Sequence, residues 1–197
     1  MVAKVLQFPV KDNEDSFAEW LALELAPTIC NNKPSTVLSF SNSTSMPLFS
    51  MWQKYGHCVL EGSIVQQFVL RETPKSVVVL FYHPEGLRKC MEENSHKAFL
   101  EQCGYHVEGG LEQCLALLRN RYQDTCPHEI GLLLGIPLKD VLGFMGLSPL
   151  PLTCRGQWKI YGDPKGSLSA MRCFVEDRRR VEEQLRLGLA PRQVLCG

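Results

Sequence analysis

Cys126-Pro127-His128-Glu129 places a thiol, an imidazole and a carboxylate within four residues. Those three groups are what a cysteine nucleophile needs: the thiolate attacks, the imidazole takes the proton, and a carboxylate orients the ring. Cys126, His128 and Glu129 are therefore candidate catalytic residues, with Cys154 as an alternative nucleophile served by the same histidine. Side chains this close in sequence rarely meet such geometry, because triads assemble from separate elements. The competing reading is a helix start. Pro127 suits the first helical position. Glu129 then falls at the third, where its carboxylate can bond back to the cap amide. In that case His128 is exposed in the first turn.

A second concentration of unusual residues is Cys154-Arg155-Gly156-Gln157-Trp158-Lys159-Ile160-Tyr161-Gly162-Asp163. Two glycines flank an aromatic strand, a pattern that lets backbone amides, Trp158 and Tyr161 approach a flat ligand such as a flavin or tetrapyrrole. Lys33 and Lys159 are the cations expected to meet an anionic group on it. Lys33, Trp158, Lys159, Tyr161 and Asp163 are thus the candidate cofactor-binding residues, without a cofactor being identified. The alternative is a core strand ending in the turn Gly162-Asp163-Pro164. Cys126, His128, Glu129 and Cys154, with His57, His83 or His106, offer nitrogen and sulfur to a metal. None of the nine cysteines forms Cys-x-x-Cys, so no metal follows from the spacing.

Residues 129–142 also resemble a helix-turn-helix. A recognition helix needs cations for phosphates. Leu138-Lys139-Asp140-Val141-Leu142-Gly143-Phe144-Met145 has one lysine beside an aspartate and ends apolar. Nucleic acid is not an expected partner. The whole chain agrees: 21 Lys and Arg balance 21 Asp and Glu, leaving no field to attract a polyanion. With 197 residues the chain can bury one substantial core, and its 45% apolar share is ordinary for a globular protein. No run reaches the roughly 18 apolar residues of a membrane span, and Met1 to Val10 does not read as a secretory signal. The expected location is cytoplasmic, where scattered cysteines stay reduced and behave as small apolar residues.

Several elements must position these groups. Phe17, Trp20, Leu21 and Leu25 share one face of a helix over 15–26, capped by Asp15 or Ser16 and stopped by Pro27. A strand over 36–40, a polar loop over 41–45 and a helix over 47–57 ended by Gly56 follow. Strands are expected over 64–70 and 76–82, joined by a hairpin turn at 71–75. The run Ser76 to Tyr82 is near-continuously apolar, as in a central strand buried on both faces. Helices are predicted over 84–93, 95–103 and 110–122. A short helix opens at Pro137 and a strand covers 158–161. A long charged helix over 165–187 offers Leu168, Met171, Phe174, Val175 and Val181 to the core. This order implies a mixed α/β (α+β) fold, a single domain over 15–187 with a small central sheet flanked by helices. Residues 1–14 read as an N-terminal extension and 188–197 as a frayed C-terminal tail.

Read in order, Leu25-Ala26-Pro27-Thr28-Ile29, Lys33-Pro34-Ser35, the strand 76–82, Gly104-Tyr105, Cys126-Pro127-His128-Glu129-Ile130-Gly131, Leu134-Gly135-Ile136-Pro137 and Trp158-Lys159-Ile160-Tyr161-Gly162-Asp163 carry a resemblance. The chain resembles the bacterial family catalogued as domain of unknown function 3793, over roughly residues 17–175. That family is marked by a Pro-His-Glu-Ile-Gly block and a Trp-Lys-Val-Tyr-Gly-Asp block. The resemblance implies a cytoplasmic protein of anaerobic bacteria. It also implies an accessory role in redox or iron metabolism beside a flavodoxin-like redox partner. One departure is Leu25, where many members have cysteine. The resulting expectation is a protein that binds a cofactor, metal or redox partner between segments 126–129 and 158–163. Its rivals are a cysteine-nucleophile enzyme and a protein-interaction module with no small ligand.

Overall fold

Seven residues of one strand set the architecture. In the computed structural model, which describes residues 11–43 and 46–197, Ser76–Tyr82 forms β3, flanked on both sides by antiparallel partners in the order β1-β3-β2. Side chains alternate across a strand. Val78, Leu80 and Tyr82 enter one apolar cluster and Val77, Val79 and Phe81 enter another. Both faces of the sheet are therefore covered by helices, which is why this strand reads as an unbroken apolar run.

The first cluster lies under α3 (Pro84–Glu92), α4 (Asn94–Gln102), α5 (Leu111–Arg121), α6 (Ile130–Leu133) and α7 (Leu138–Phe144). The second lies under α1 (Glu14–Ile29), α2 (Leu48–Leu60), the end of α8 (Lys165–Arg186) and α9 (Pro191–Cys196). β1 spans Ser35–Ser41 and β2 spans Gln66–Thr73. A separate two-stranded ladder, β4 (Leu152–Arg155) with β5 (Lys159–Tyr161), leans on α7. The mixed α/β class expected from the sequence is what folds. Among the described residues, no helix is long and apolar enough to cross a membrane.

Several boundaries differ from the sequence reading, each for a physical reason. Asn13 caps α1 by accepting from the Ser16 amide at 2.9 Å. Pro27 lies inside that helix instead of ending it. Its missing N–H leaves the Leu23 carbonyl without its helical donor, and Arg178 of α8 donates to that oxygen at 2.9 Å. Gly56 is interior to α2, because the Trp52 ring lies 2.8 Å from where a Cβ would stand. The β2–β3 turn is tighter than 71–75, since strand pairing continues through Thr73 and Ser76. β4 was absent from the sequence reading; its four residues are mostly exposed and carry no periodicity.

The helix over 165–186 buries Met171, Phe174 and Val181, but leaves Leu168 and Val175 exposed at 41% and 50%. The expected frayed tail contains α9, whose Leu195 is fully buried. Its carbonyl accepts from the Ser63 hydroxyl at 2.8 Å and the Ile64 amide at 3.2 Å. Residues 1–10, read as part of an extension without a secretory signal, lie outside the described residues, as do Thr44 and Ser45 of the polar loop.

Candidate functional site

Cys126-Pro127-His128-Glu129 connects α5 to α6 as a run of tight turns. The amides of Ile130, Gly131 and Leu132 donate to the carbonyls three residues back, at 3.0–3.2 Å. Glu129 does not close a capping box, and α6 has no side-chain cap. Its carboxylate turns inward and is 2% exposed. Oε1 accepts from Arg121 Nε at 2.6 Å and from the Tyr105 hydroxyl at 3.3 Å. Burial, then the Glu129 charge, pushes the Tyr105 hydroxyl far above its ordinary value. Glu129 thus anchors the turn to α5, and its polar bonds go to Arg121 and Tyr105, not to His128.

His128 and Cys126 point outward from this anchored turn and are exposed. The His128 ring stands edge-on to Phe144 at 5.0 Å and 90°. No hydrogen bond joins Cys126 to His128 among the described residues. The Cys126 sulfur lies beside the Tyr122 hydroxyl, which burial and that contact raise well above its usual range. Nucleophile, base and orienting acid are adjacent in sequence but have separate partners.

After α6, the chain reverses through a Schellman turn: Ile136 N–H bonds to Gly131 O and Gly135 N–H to Leu132 O, each at 3.0 Å. Gly135 has φ +79°, and a Cβ there would meet Pro34 and Phe174 at 3.1 and 3.3 Å. This reversal lays α7 across α6 and leaves a cavity of about 470 Å³ between them. Cys126, His128, Val141, Phe144, Trp158 and Lys159 are among its walls. Of the two segments singled out in the sequence, 126–129 and 158–163, residues 126–128 and 158–159 face one space, whereas Glu129 and residues 160–163 are not among its walls. Lys159 Nζ stands over the Phe144 ring, 5.2 Å from its centre.

Asp140 holds this arrangement together. It is 1% exposed. Its Oδ1 accepts from Lys139 Nζ at 2.7 Å and the Tyr161 amide at 2.8 Å. Its Oδ2 accepts from Trp158 Nε1 at 2.8 Å and Ser167 Oγ at 2.5 Å. Burial pushes this carboxyl up, but the bonds from Lys139, Ser167, Tyr161 and Trp158 outweigh it and hold it below its ordinary value. One carboxylate thereby ties α7 to β5 and α8 and fixes the Trp158 ring in the cavity wall. The sequence reading missed this role. The available signal was an aspartate in a short, mainly apolar helix, which has to find donors if buried.

The remaining candidates lie elsewhere. Tyr161 packs its ring where a Cβ on Gly143 would stand. Asp163 is exposed and accepts from the Lys165 amide at 3.0 Å, as a turn residue. Lys33 extends over the Phe174 ring at 5.7 Å. Burial pulls its ammonium down to about 8, against weaker support from Glu24. Cys154 is half-buried on β4, paired with Ile160. His83 caps α3, while His57 and His106 are exposed on other elements. Leu25 is fully buried on the opposite side of the sheet from the cavity.

A thiol and an imidazole do meet at Cys90 and His96, with Sγ to Nδ1 at 3.8 Å. That nitrogen bonds the Cys90 carbonyl at 2.7 Å, and burial pushes the thiol up to about 11. Such a group is a poor nucleophile. Among the described residues, no cluster of three or more His, Cys, Asp or Glu side chains is placed to hold a metal ion.

No curated protein and no solved structure matches the chain. A family-wide sequence model does, over residues 21–195, which takes in the Pro-His-Glu-Ile-Gly turn, the Asp140 anchor and the Trp-Lys-Ile-Tyr-Gly-Asp strand. The chain accordingly belongs to the family described as Protein of unknown function (DUF3793).

Proposed function

We propose that this chain is a binding protein for a small, largely apolar ligand, held in the cavity between α6, α7 and the start of β5. The single observation that carries this reading is the cavity itself. Its volume of about 470 Å³ lies within the ~300–1,000 Å³ typical of small-molecule sites. Its walls are mainly aliphatic and aromatic, with a few polar tips at Cys126, His128 and Lys159. Trp158, immobilised through Asp140, offers a fixed aromatic wall suited to a flat molecule such as a flavin or tetrapyrrole.

Binding is favoured over nucleophilic catalysis because Glu129 is committed to Arg121 and Tyr105. His128 has an aromatic neighbour in place of an orienting acid. A cytoplasmic accessory role in redox metabolism fits the nine unpaired thiols, which persist where the surroundings are reducing.

The test is titration of the full chain with N-phenyl-1-naphthylamine, a neutral fluorophore that brightens in apolar surroundings, and with flavin mononucleotide and haemin by absorbance. Saturable binding tighter than about 0.1 mM, abolished by Cys126→Trp at the exposed rim, is expected. If all three fail to saturate, or if the rim variant binds as well as the wild type, the cavity is not a ligand site.

A further inference from the structure

The charges around the cavity define its ligand more narrowly, an inference that rests on the binding reading above. Four lining residues can carry charge: Cys126, His128, Asp140 and Lys159. Asp140 is already saturated, with both oxygens taken by four donors that include the Lys139 ammonium. Lys159 differs. Among the described residues its Nζ makes no hydrogen bond or ion pair, and its neighbour is the face of Phe144. That same ring lies perpendicular to the His128 imidazole, with 5.0 Å between the ring centres.

Phe144 thus gathers one uncompensated ammonium and one imidazole at the cavity. Among the described residues, no free carboxylate lines the space to neutralise them. A separate polar cavity shares the Cys126–His128 wall and is lined by Arg121, Asp124 and Glu129. There, Arg121 and Glu129 cancel each other across 2.6 Å.

We infer that the ligand is a small amphipathic anion, with an apolar body inside the cavity and one carboxylate or similar anionic group at Lys159, within reach of His128. Charge complementarity carries the inference. An apolar wall lowers the local dielectric, so an ammonium beside it attracts an anion more strongly than one in open water. A neutral ligand would leave that ammonium partly desolvated without a partner, a cost that selects against neutral analogues. The aromatic face beneath Nζ holds the lysine in position without consuming its hydrogen-bond donors.

Two probes that share an N-phenylnaphthylamine body separate the inference from the reading beneath it. One is N-phenyl-1-naphthylamine, which is neutral; the other is 1-anilinonaphthalene-8-sulfonate, which carries an anion. At low ionic strength the sulfonate is expected to bind about tenfold more tightly, equivalent to about 1.4 kcal/mol. Lys159→Met should remove that advantage, so that the variant binds the two probes equally, and Lys159→Arg should retain it. Added salt should narrow the gap. Displacement by decanoate and by 2-naphthoate then separates aliphatic from aromatic carboxylates as the preferred class.

Equal affinity for both probes, with no response to Lys159→Met, overturns the anion inference and leaves the apolar site standing. Failure of both probes to bind overturns the site and the inference with it.

Discussion

Replacing Asp140 with asparagine removes one charge and keeps the shape, so its cost can be worked from the bonds. The new amide nitrogen must occupy one of two positions. At the Oδ1 position it faces the Lys139 ammonium and the Tyr161 amide, and neither can accept a hydrogen bond. At the Oδ2 position it faces Ser167 Oγ, which can rotate and accept, and Trp158 Nε1, which cannot. The second orientation is therefore preferred; it orphans the indole N–H and turns the Ser167 hydroxyl away from its present acceptor. An unsatisfied buried donor costs about 1–3 kcal/mol, and the lost charge weakens the Lys139 and Tyr161 bonds by about 1 kcal/mol more.

Asp140→Asn is accordingly expected to destabilise the chain by about 2–4 kcal/mol, measured as the shift in urea unfolding by circular dichroism. Asp140→Ala, which takes this acceptor from the Trp158, Ser167 and Tyr161 donors while Lys139 keeps the Tyr161 carbonyl and Ser167 Oγ, should cost about 3–5 kcal/mol. The sharper assay is a double-mutant cycle. With Trp158→Phe no indole N–H remains to be orphaned, so Asp140→Asn should cost about 1–2 kcal/mol less in that background. If the two substitutions add within about 0.5 kcal/mol, the indole bond is not what the carboxylate supports, and the account of a fixed Trp158 wall fails. The pH dependence has a definite sign. The folded carboxyl is held below its ordinary value of 3.8. Its contribution is therefore complete above that value and is lost as pH falls through the lower folded value.

Two further predictions concern ionic groups outside the cavity. Glu129 is 2% exposed whereas the Arg121 side chain is 41% exposed. Arg121→Ala strands a buried carboxylate and should cost about 3–5 kcal/mol; Glu129→Ala lets the arginine turn to water and should cost less, about 1–3 kcal/mol. The reverse ranking in urea unfolding would contradict the pairing. Lys33→Met keeps the stem over Phe174 and removes an ammonium whose folded value lies at about 8, below the ordinary 10.5. Between those values the unfolded chain holds a proton that the folded chain lacks, so wild-type stability rises with pH. The variant should be more stable by about 1–2 kcal/mol at neutral pH, discounted for partial exposure. That gain should close as pH approaches 10.5; a gain that stays constant with pH would show that charge is not its source.

The elements whose burial depends on their own periodicity were readable in the chain. The run Val77 to Tyr82 announced a strand covered on both faces. The spacing of Leu111, Cys114, Leu115 and Leu118 announced α5, which buries the last three. Phe17, Leu21 and Leu25 did the same for α1. The sequence also marked 126–129 and 158–163 as unusual, and residues 126–128 and 158–159 of these segments meet at one cavity.

What local pattern could not decide was the partner of each polar group. Glu129 has the right spacing for a cap, yet its acceptor oxygen is claimed by Arg121 and Tyr105 from outside its own helix. Pro27 should end α1, yet Arg178, far along the chain, supplies the donor that the Leu23 carbonyl lacks. Asp140 takes its donors from α7, β5 and α8 at once. A hydrogen bond or ion pair is set by positions in space, and residues 18–27 apart in sequence reach Asp140 only after the chain has packed. The sequence by itself determined which surfaces must leave water. The tertiary structure alone decided which charges are cancelled inside, and so which one, Lys159, stands at the cavity without a counter-charge among the described residues.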